Sequence, residues 1–331
     1  MVAKSEVLRC GADVLEDIVM KLSPLLLDTL LKDHAAGTET NPANIFWATD
    51  DYEELGNAYK FASPILPELI TGKNGHVIMP RVLKMREKQI ERIRNKAEVF
   101  TPSWLCNYQN NLIDAAWFNR TDVFNCQHSN RIWQVNEEKI KFPEGKNWQD
   151  YVLEKRLEIT CGEAPYTASR YDSTTGQEIP VSRRIGFLDR KLRIVSENTE
   201  KTDEWLTWAQ AAYQNVYGYE WQGDNLLIAR ENLLLTFLDY YREKFGADPK
   251  LHSLQSIANV ISWNLWQMDG LKGVIPRSCK PIVQRQQDFF MEQLSEVPCE
   301  GCLIGNKFRH TGTYCMVMDW EHGKSMRYID L

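Results

Sequence analysis

The chain has 331 residues, 43% hydrophobic and 25% charged, which exceeds one typical domain and supplies ample apolar material for a large core. Its net charge of -6 excludes a globally basic nucleic-acid binder and leaves only a local basic face for phosphate contact. Eight cysteines without regular spacing read as reduced thiols. Residues 1–11 lack a basic-then-apolar signal pattern, and Leu25-Leu26-Leu27 is too short to span a bilayer, so a cytoplasmic protein without a membrane segment is expected.

Taken in order, residues 5–31 carry apolar side chains at helical spacing, interrupted at Pro24. Residues 44–49 predict a strand, followed by the acidic turn Asp50-Asp51-Tyr52-Glu53-Glu54, and residues 76–80 predict another strand after a Gly-containing turn. A basic helix is expected over 81–96; Arg86, Arg92, Arg94 and Lys96 on it are the best candidates for phosphate contact, against the plainer reading of a solvated helix face. Thr101-Pro102 suits the start of a helix over 103–114. Residues 117–148 are polar and turn-rich, and Arg183 and Arg184 open a second basic cluster that runs to Arg193. Helices are expected over 205–214 and 224–241, and strands over 215–221, 260–266 and 314–318. Most of the eleven tryptophans are assigned to packing and a minority to stacking on bases.

The stretch from Leu157 to Tyr166 stands out: a short strand ending at Glu158, then Cys161 and a tight turn at Gly162. Glycine at such a turn lets backbone N–H groups approach a ligand, and the carboxylate beside it accepts from an amine or hydroxyl. An ordinary strand-to-helix turn has the same look. What separates the two is company, because two further predicted strands also finish at carboxylates, Glu220 and Asp269. In an open parallel α/β sheet the carboxyl ends of the strands form the ligand crevice. Carboxylates there can accept both ribose hydroxyls and an exocyclic amine, which fits an adenosine-containing cofactor.

On these residues the chain resembles the DNA adenine-N6 methyltransferase family, nearest to the proteins described as restriction endonuclease subunit M. Glu98-Val99-Phe100-Thr101-Pro102 is similar to the Phe-Thr-Pro motif that holds the methionine end of S-adenosylmethionine in that family. Leu157-Glu158, Cys161 and Pro165-Tyr166 resemble its Leu-Glu-Pro-Ala-Cys-Gly cofactor turn. Gly218-Tyr219-Glu220 with Ala229-Arg230-Glu231-Asn232 resembles the ribose-binding strand end and its helix, and Gln267-Met268-Asp269-Gly270 the motif whose Asp accepts from the adenine amine. The likeness spans residues 96–273, with the motifs in the family's order.

The resemblance implies a Rossmann-like S-adenosylmethionine-dependent methyltransferase fold over 96–331, behind a mainly helical region over 1–95. Its implied cofactor residues are Phe100, Thr101, Pro102, Glu158, Cys161, Gly162, Glu220 and Asp269. One departure matters: the family's catalytic Asp/Asn/Ser-Pro-Pro-Tyr/Phe after the fourth strand is missing, since the sequence holds no Pro-Pro. Asp319-Trp320 is the positional equivalent and is assigned the target amine and the flipped base. The chain also leaves little room for the remaining strands, so an incomplete sheet is a further expectation. The function implied is methyl transfer to adenine N6 in a restriction-modification or defence system. DNA is the expected partner, together with a restriction or specificity subunit. A non-catalytic DNA- or partner-binding subunit is the alternative, and methylation of RNA or protein stays open.

Separately, Cys299-Glu300-Gly301-Cys302 is half of a zinc knuckle, with Cys279, His310, Cys315 and His322 as candidates for the other half and a structural zinc as the implied ion.

Overall fold

The computed structural model describes residues 16–38, 40–84, 86–96, 101–287 and 292–331. Its N-terminal part begins with α1 (Glu16–Leu22) and α2 (Pro24–Leu31), the second entered by a proline where its missing N–H costs nothing. A short antiparallel pair follows, β1 (Lys32–Gly37) with β2 (Pro42–Asn44), then α3 (Pro67–Ile70) and α4 (Arg86–Lys96). The strand expected over 44–49 is reduced to β2 and a lone bridge from Phe46 to Pro64. Residues 76–80 form turns and irregular backbone in place of the expected strand.

Next come α5 (Ser103–Phe118), the hairpin β3 (Asn125–Gln127) and β4 (Trp133–Val135), and α6 (Trp148–Leu153). A capping box starts α6, with the Asn147 side chain accepting from the Asp150 N–H and Asp150 accepting in return.

The centre of the molecule is a three-stranded parallel sheet in the order β5 (Arg156–Glu158), β6 (Val216–Glu220), β7 (Leu265–Gln267). Its register pairs Glu158 with Gly218, and Glu220 with Gln267. Parallel neighbours need long crossovers. Here these are α7 (Phe187–Asn198) and α8 (Thr202–Gln214) between β5 and β6, then α9 (Gly223–Phe245) and α10 (Leu251–Asn264) between β6 and β7. α9 is buried nearly all round, with polar residues such as Asp224, Arg230 and Asn232 enclosed along with its leucines, and stops at Gly246 in the left-handed region that glycine adopts without strain. The run Val260-Ile261-Ser262-Trp263, expected as strand for its β-branched and aromatic side chains, instead belongs to the end of α10. Leu254, Ile257, Ala258 and Ile261 recur at helical spacing and are buried, and that packing outweighs local β propensity.

Beyond β7 the chain forms two antiparallel hairpins, β8 (Ile282–Gln287) with β9 (Glu292–Val297), and β10 (Met316–Asp319) with β11 (Lys324–Arg327), separated by α11 (Glu300–Ile304). β10 therefore pairs with β11 and is not a fourth strand of the parallel sheet. The fold is mixed α/β with a parallel three-stranded centre.

One hydrophobic cluster takes in Leu26, Leu30 and Trp47 from the N-terminal part together with Leu188, Leu227 and Ile261 from the sheet's helices. The regions expected on either side of residue 95 thus share a core. Buried Arg230 reinforces the join: its guanidinium donates to the carbonyls of Leu30 (2.5 Å) and Lys32 (2.9 Å) on one side and of Leu265 (2.6 Å) on the other. The Gln267 side chain adds to it, accepting from the Phe46 N–H (3.0 Å) and donating to the Phe46 carbonyl (2.8 Å). No helix among the described residues is long and apolar enough to cross a membrane.

Candidate functional site at the carboxyl ends of the parallel strands

A cleft of about 1510 Å³ opens where β5 and β6 end. One wall is the 159–166 turn. Pairing of the strands carries into it, since the Cys161 N–H donates to the Tyr219 carbonyl (2.9 Å). Thr160, Gly162 and Ala164 then alternate into positive φ (+45°, +54° and +61°), and this zigzag aims the Gly162 N–H at the Glu220 carboxylate, 2.9 Å away. Ala48 and Arg277, which also line the cleft, hold positive φ as well. Strained non-glycine backbone of this kind persists where surrounding structure enforces it, and it concentrates at binding sites.

Glu158 folds the far end of the turn back onto the sheet. Its carboxylate accepts from the N–H groups of Tyr166 (3.2 Å) and Thr167 (3.0 Å) and from the Thr167 hydroxyl (2.7 Å). Burial nevertheless dominates and pushes its carboxyl up to about 7. Glu220 accepts one backbone N–H on each oxygen, from Gly162 and from Gln222 (3.2 Å), and burial raises its carboxyl too. A carboxylate has about four lone-pair sites, so Glu220 keeps acceptor capacity toward the cleft it lines.

The opposite wall comes from the N-terminal part and is pinned by one buried carboxylate. Asp224, in the first turn of α9, accepts from Lys84 Nζ (3.1 Å), Arg92 (3.0 Å) and the Tyr52 hydroxyl (2.8 Å). Burial opposes its ionisation, but the Arg92 and Lys84 charges hold its carboxyl well below the usual range. Arg92 also reaches Asp51 (2.6 Å) and the Gln222 side chain (2.6 Å). These contacts set the acidic loop over the cleft, where Asp50, Asp51 and Tyr52 are lining residues. Arg277 lies across it with its guanidinium 3.9 Å from the Phe61 ring centre.

Of the residues named from sequence, Thr101, Glu158, Cys161, Gly162 and Glu220 all line this cleft. Pro102 is the cap residue of α5, and Phe100 lies outside the described residues. Asp269 is not among the lining residues. It closes the turn after β7, accepting from the Leu271 N–H (3.1 Å) and pairing with Lys272 (3.3 Å). Asp319 and Trp320 are also off the cleft. Asp319 caps the β10–β11 turn through the His322 ring (2.7 Å) and the N–H groups of Glu321 and His322, while the Trp320 indole donates to Asn264 (2.8 Å).

The basic residues divide. Arg92 and Arg184 are engaged inside the protein, with side chains each 3% exposed, the first on Asp224 and Asp51 and the second on Asp239 (2.6 Å). Committed to buried carboxylates, neither is available for phosphate. Arg190 and Lys191 of the second basic cluster are buried as well, the former on Asp114. Arg94 and Arg183 are exposed, Arg183 with its guanidinium over the Trp133 ring. Arg86 and Lys96 belong to α4.

Sequence reasoning missed the Asp224 hub and the loop it holds. The acidic turn at Asp50 was visible, but nothing local ties it to residues more than a hundred positions away. Farther along the chain, Cys299 and Cys302 do meet two of their candidate partners. Cys279 and His310 complete a group whose ligand atoms all lie within 4.8 Å of one another, a set compatible with zinc. Cys315 is instead buried with its thiol on the Gln267 carbonyl (3.2 Å), and His322 is paired with Asp319. No protein-family model, curated protein or solved structure matches this chain.

Proposed function

We propose that the cleft binds S-adenosylmethionine and that the protein is a DNA methyltransferase-like component of a restriction-modification or defence system, directed at adenine N6. The observation that carries this reading is the placement of Glu158 and Glu220 on one cleft, at the carboxyl ends of adjacent parallel strands, with Gly162 between them. Glu220 takes the ribose hydroxyls, the Gly162 turn lets the ligand approach the backbone, and Glu158 and Thr101 face the methionine end. Two carboxylates suit a ligand that carries a sulfonium and an ammonium. Among the named cations whose burial is described, Arg94 and Arg183 are exposed and serve DNA phosphate.

A second reading is favoured by one observation. Asp319 and Trp320 stand apart from the cleft and are occupied by His322 and Asn264. A chain that binds the cofactor but leaves chemistry to a partner, or acts only by binding DNA, fits that arrangement.

Calorimetric titration of the intact protein with S-adenosylmethionine tests the common part. Glu220→Ala is expected to weaken binding by about 10–100-fold, the loss of one or two hydrogen bonds to a charged group. Asp319→Asn is expected to leave affinity unchanged. Absence of binding by the parent rules out the first reading and the cofactor-binding form of the second, and leaves only a chain that acts by binding DNA. Tritiated methyl transfer to mixed-sequence DNA, alone and with restriction-system partners, then separates them, since the non-catalytic chain incorporates no label by itself.

A further inference from the structure

Cys279 lies just before β8, Cys299 just after β9, Cys302 within α11, and His310 on the loop that returns toward β10. The His310 Nδ1 is 3.6 Å from each of the three sulfurs. Hydrogen bonding does not account for that arrangement. A ring nitrogen carries one proton or one lone pair and cannot serve three thiols at once. A tetrahedral ion does account for it: metal–sulfur bonds of about 2.3 Å and a metal–nitrogen bond of about 2.1 Å give sulfur-to-nitrogen edges of about 3.6 Å.

The surroundings are shaped for the same group. The Thr311 N–H points at the Cys299 sulfur (3.2 Å), and the Tyr314 hydroxyl accepts from the backbone N–H of His310 (2.9 Å), so that one ligand atom and the backbone of another ligand are held from behind. A methyl group on Gly301 would come within 2.7 Å of the His310 Nδ1 and 2.8 Å of the Arg309 and Asn306 backbone, and one on Gly312 within 2.5 Å of the Ser278 hydroxyl and 3.0 Å of the Cys279 sulfur. Neither glycine is among those with positive φ, so the requirement at both positions is for space beside a ligand.

From these observations we propose that Cys279, Cys299, Cys302 and His310 bind one zinc ion in a closed structural site that clamps the root of the β8–β9 hairpin to the loop before β10. Three sulfurs and one imidazole select a soft tetrahedral ion, and four protein ligands leave no open position for catalysis. The need is evident from the packing. Between residues 277 and 314, Cys299 and Gly301 are the only buried ones among the residues whose burial is described (277–283 and 296–314), so those stretches on either side of the hairpin add little apolar burial of their own. A metal supplies what apolar burial does not.

The test is elemental analysis of the untagged, full-length protein after exhaustive dialysis. One zinc per chain is expected, and cobalt substituted for it should show the visible bands of a tetrahedral site with thiolate charge transfer. Cys302→Ser should lose the ion. Gly301→Ala, which removes no ligand, should weaken retention by about 10–100-fold, the usual cost of disturbing a ligand's support. Exposed Cys126 is the control, and Cys126→Ser should retain the metal. A parent without metal, iron in place of zinc, or zinc that persists in Cys302→Ser would each overturn the proposal. Should the variants fail to fold, the cobalt spectrum of the parent still decides. Metal content is read without the cofactor, and none of the four ligands is among the residues that line the cleft, so this test and the titration with S-adenosylmethionine can fail separately.

Discussion

The parallel-strand region and the C-terminal hairpins show two ways of holding backbone in place. From residue 151 to 267, helices enclose a three-stranded sheet. Apolar side chains such as Leu188, Leu227, Phe237 and Ile261 are almost completely buried, and polar side chains among them such as Arg190, Arg230 and Asn264 are hydrogen-bonded to side chains or backbone carbonyls. Past Asp269 the apolar cluster shrinks to Tyr219, Trp266, Met268, Ile275, Cys315 and Val317, four of which precede the hairpins. The first region is fixed by burial, which scales with enclosed area. The second is too thin to enclose much area and relies on turns, one small cluster, and three sulfurs with an imidazole. Position therefore costs the cleft's carboxylates little, since the fold supplies it, whereas the hairpins need a point of cross-linking.

Removing the hub of the first region should have the largest effect. Asp224→Ala leaves the Arg92 and Lys84 head groups buried without their shared carboxylate, at a cost of about 3–5 kcal/mol. Urea unfolding would register this as a lower midpoint, and a change below about 1 kcal/mol would show that the hub is not what holds the cleft's roof.

Stripping the metal should act locally. If the proposed zinc is bound, protease is expected to cut the chelated protein between residues 277 and 314 while the span from 151 to 267 stays intact, because the latter is held by a large apolar core and the former would lose its cross-link. Identical digestion with and without chelator would erase the contrast between the two regions.

The smallest effect is a titration. Burial raises the Glu158 carboxyl from 4.5 to about 7, so its contribution to stability is full below 4.5 and is lost as pH rises through about 7. Melts of the ligand-free protein between about pH 5.5 and 8 should show the parent weakening with rising pH, by at most about 1.4 kcal/mol per pH unit from this group. Glu158→Gln, which cannot ionise, should show a shallower decline. Parallel slopes for the two proteins would remove Glu158 as the cause.

How far the sequence could be read follows the reach of each interaction. The strands ending at Glu158 and Glu220 were legible because a short apolar run, a carboxylate and a turn are neighbours in the chain. The helical spacing that defines α9 was legible for the same reason. Residues 260–263 misled because β-branched and aromatic side chains favour strands locally, while burial against the neighbouring helices decides for α10. Arg92 misled in a similar way: as one cation among many on a basic helix it read as a candidate for phosphate contact, and two of its partners, Asp224 and Gln222, lie more than a hundred residues away.

By itself the sequence determined the parallel α/β centre, the order of its carboxylate-ended strands, the glycine turn at Gly162, and the Cys-x-x-Cys at Cys299. The tertiary structure decided three further things. It brought Glu158 and Glu220 to one cleft and left Asp269 and Asp319 outside it. It turned Arg92 and Arg184 inward onto carboxylates. From several possible ligands it selected Cys279 and His310, because Cys315 is drawn into the core and His322 is held by Asp319. Periodicity and turn chemistry act over a few residues and are written locally. Which distant side chains share a cleft or a cluster depends on how the helices and strands pack, and no local pattern contains that information.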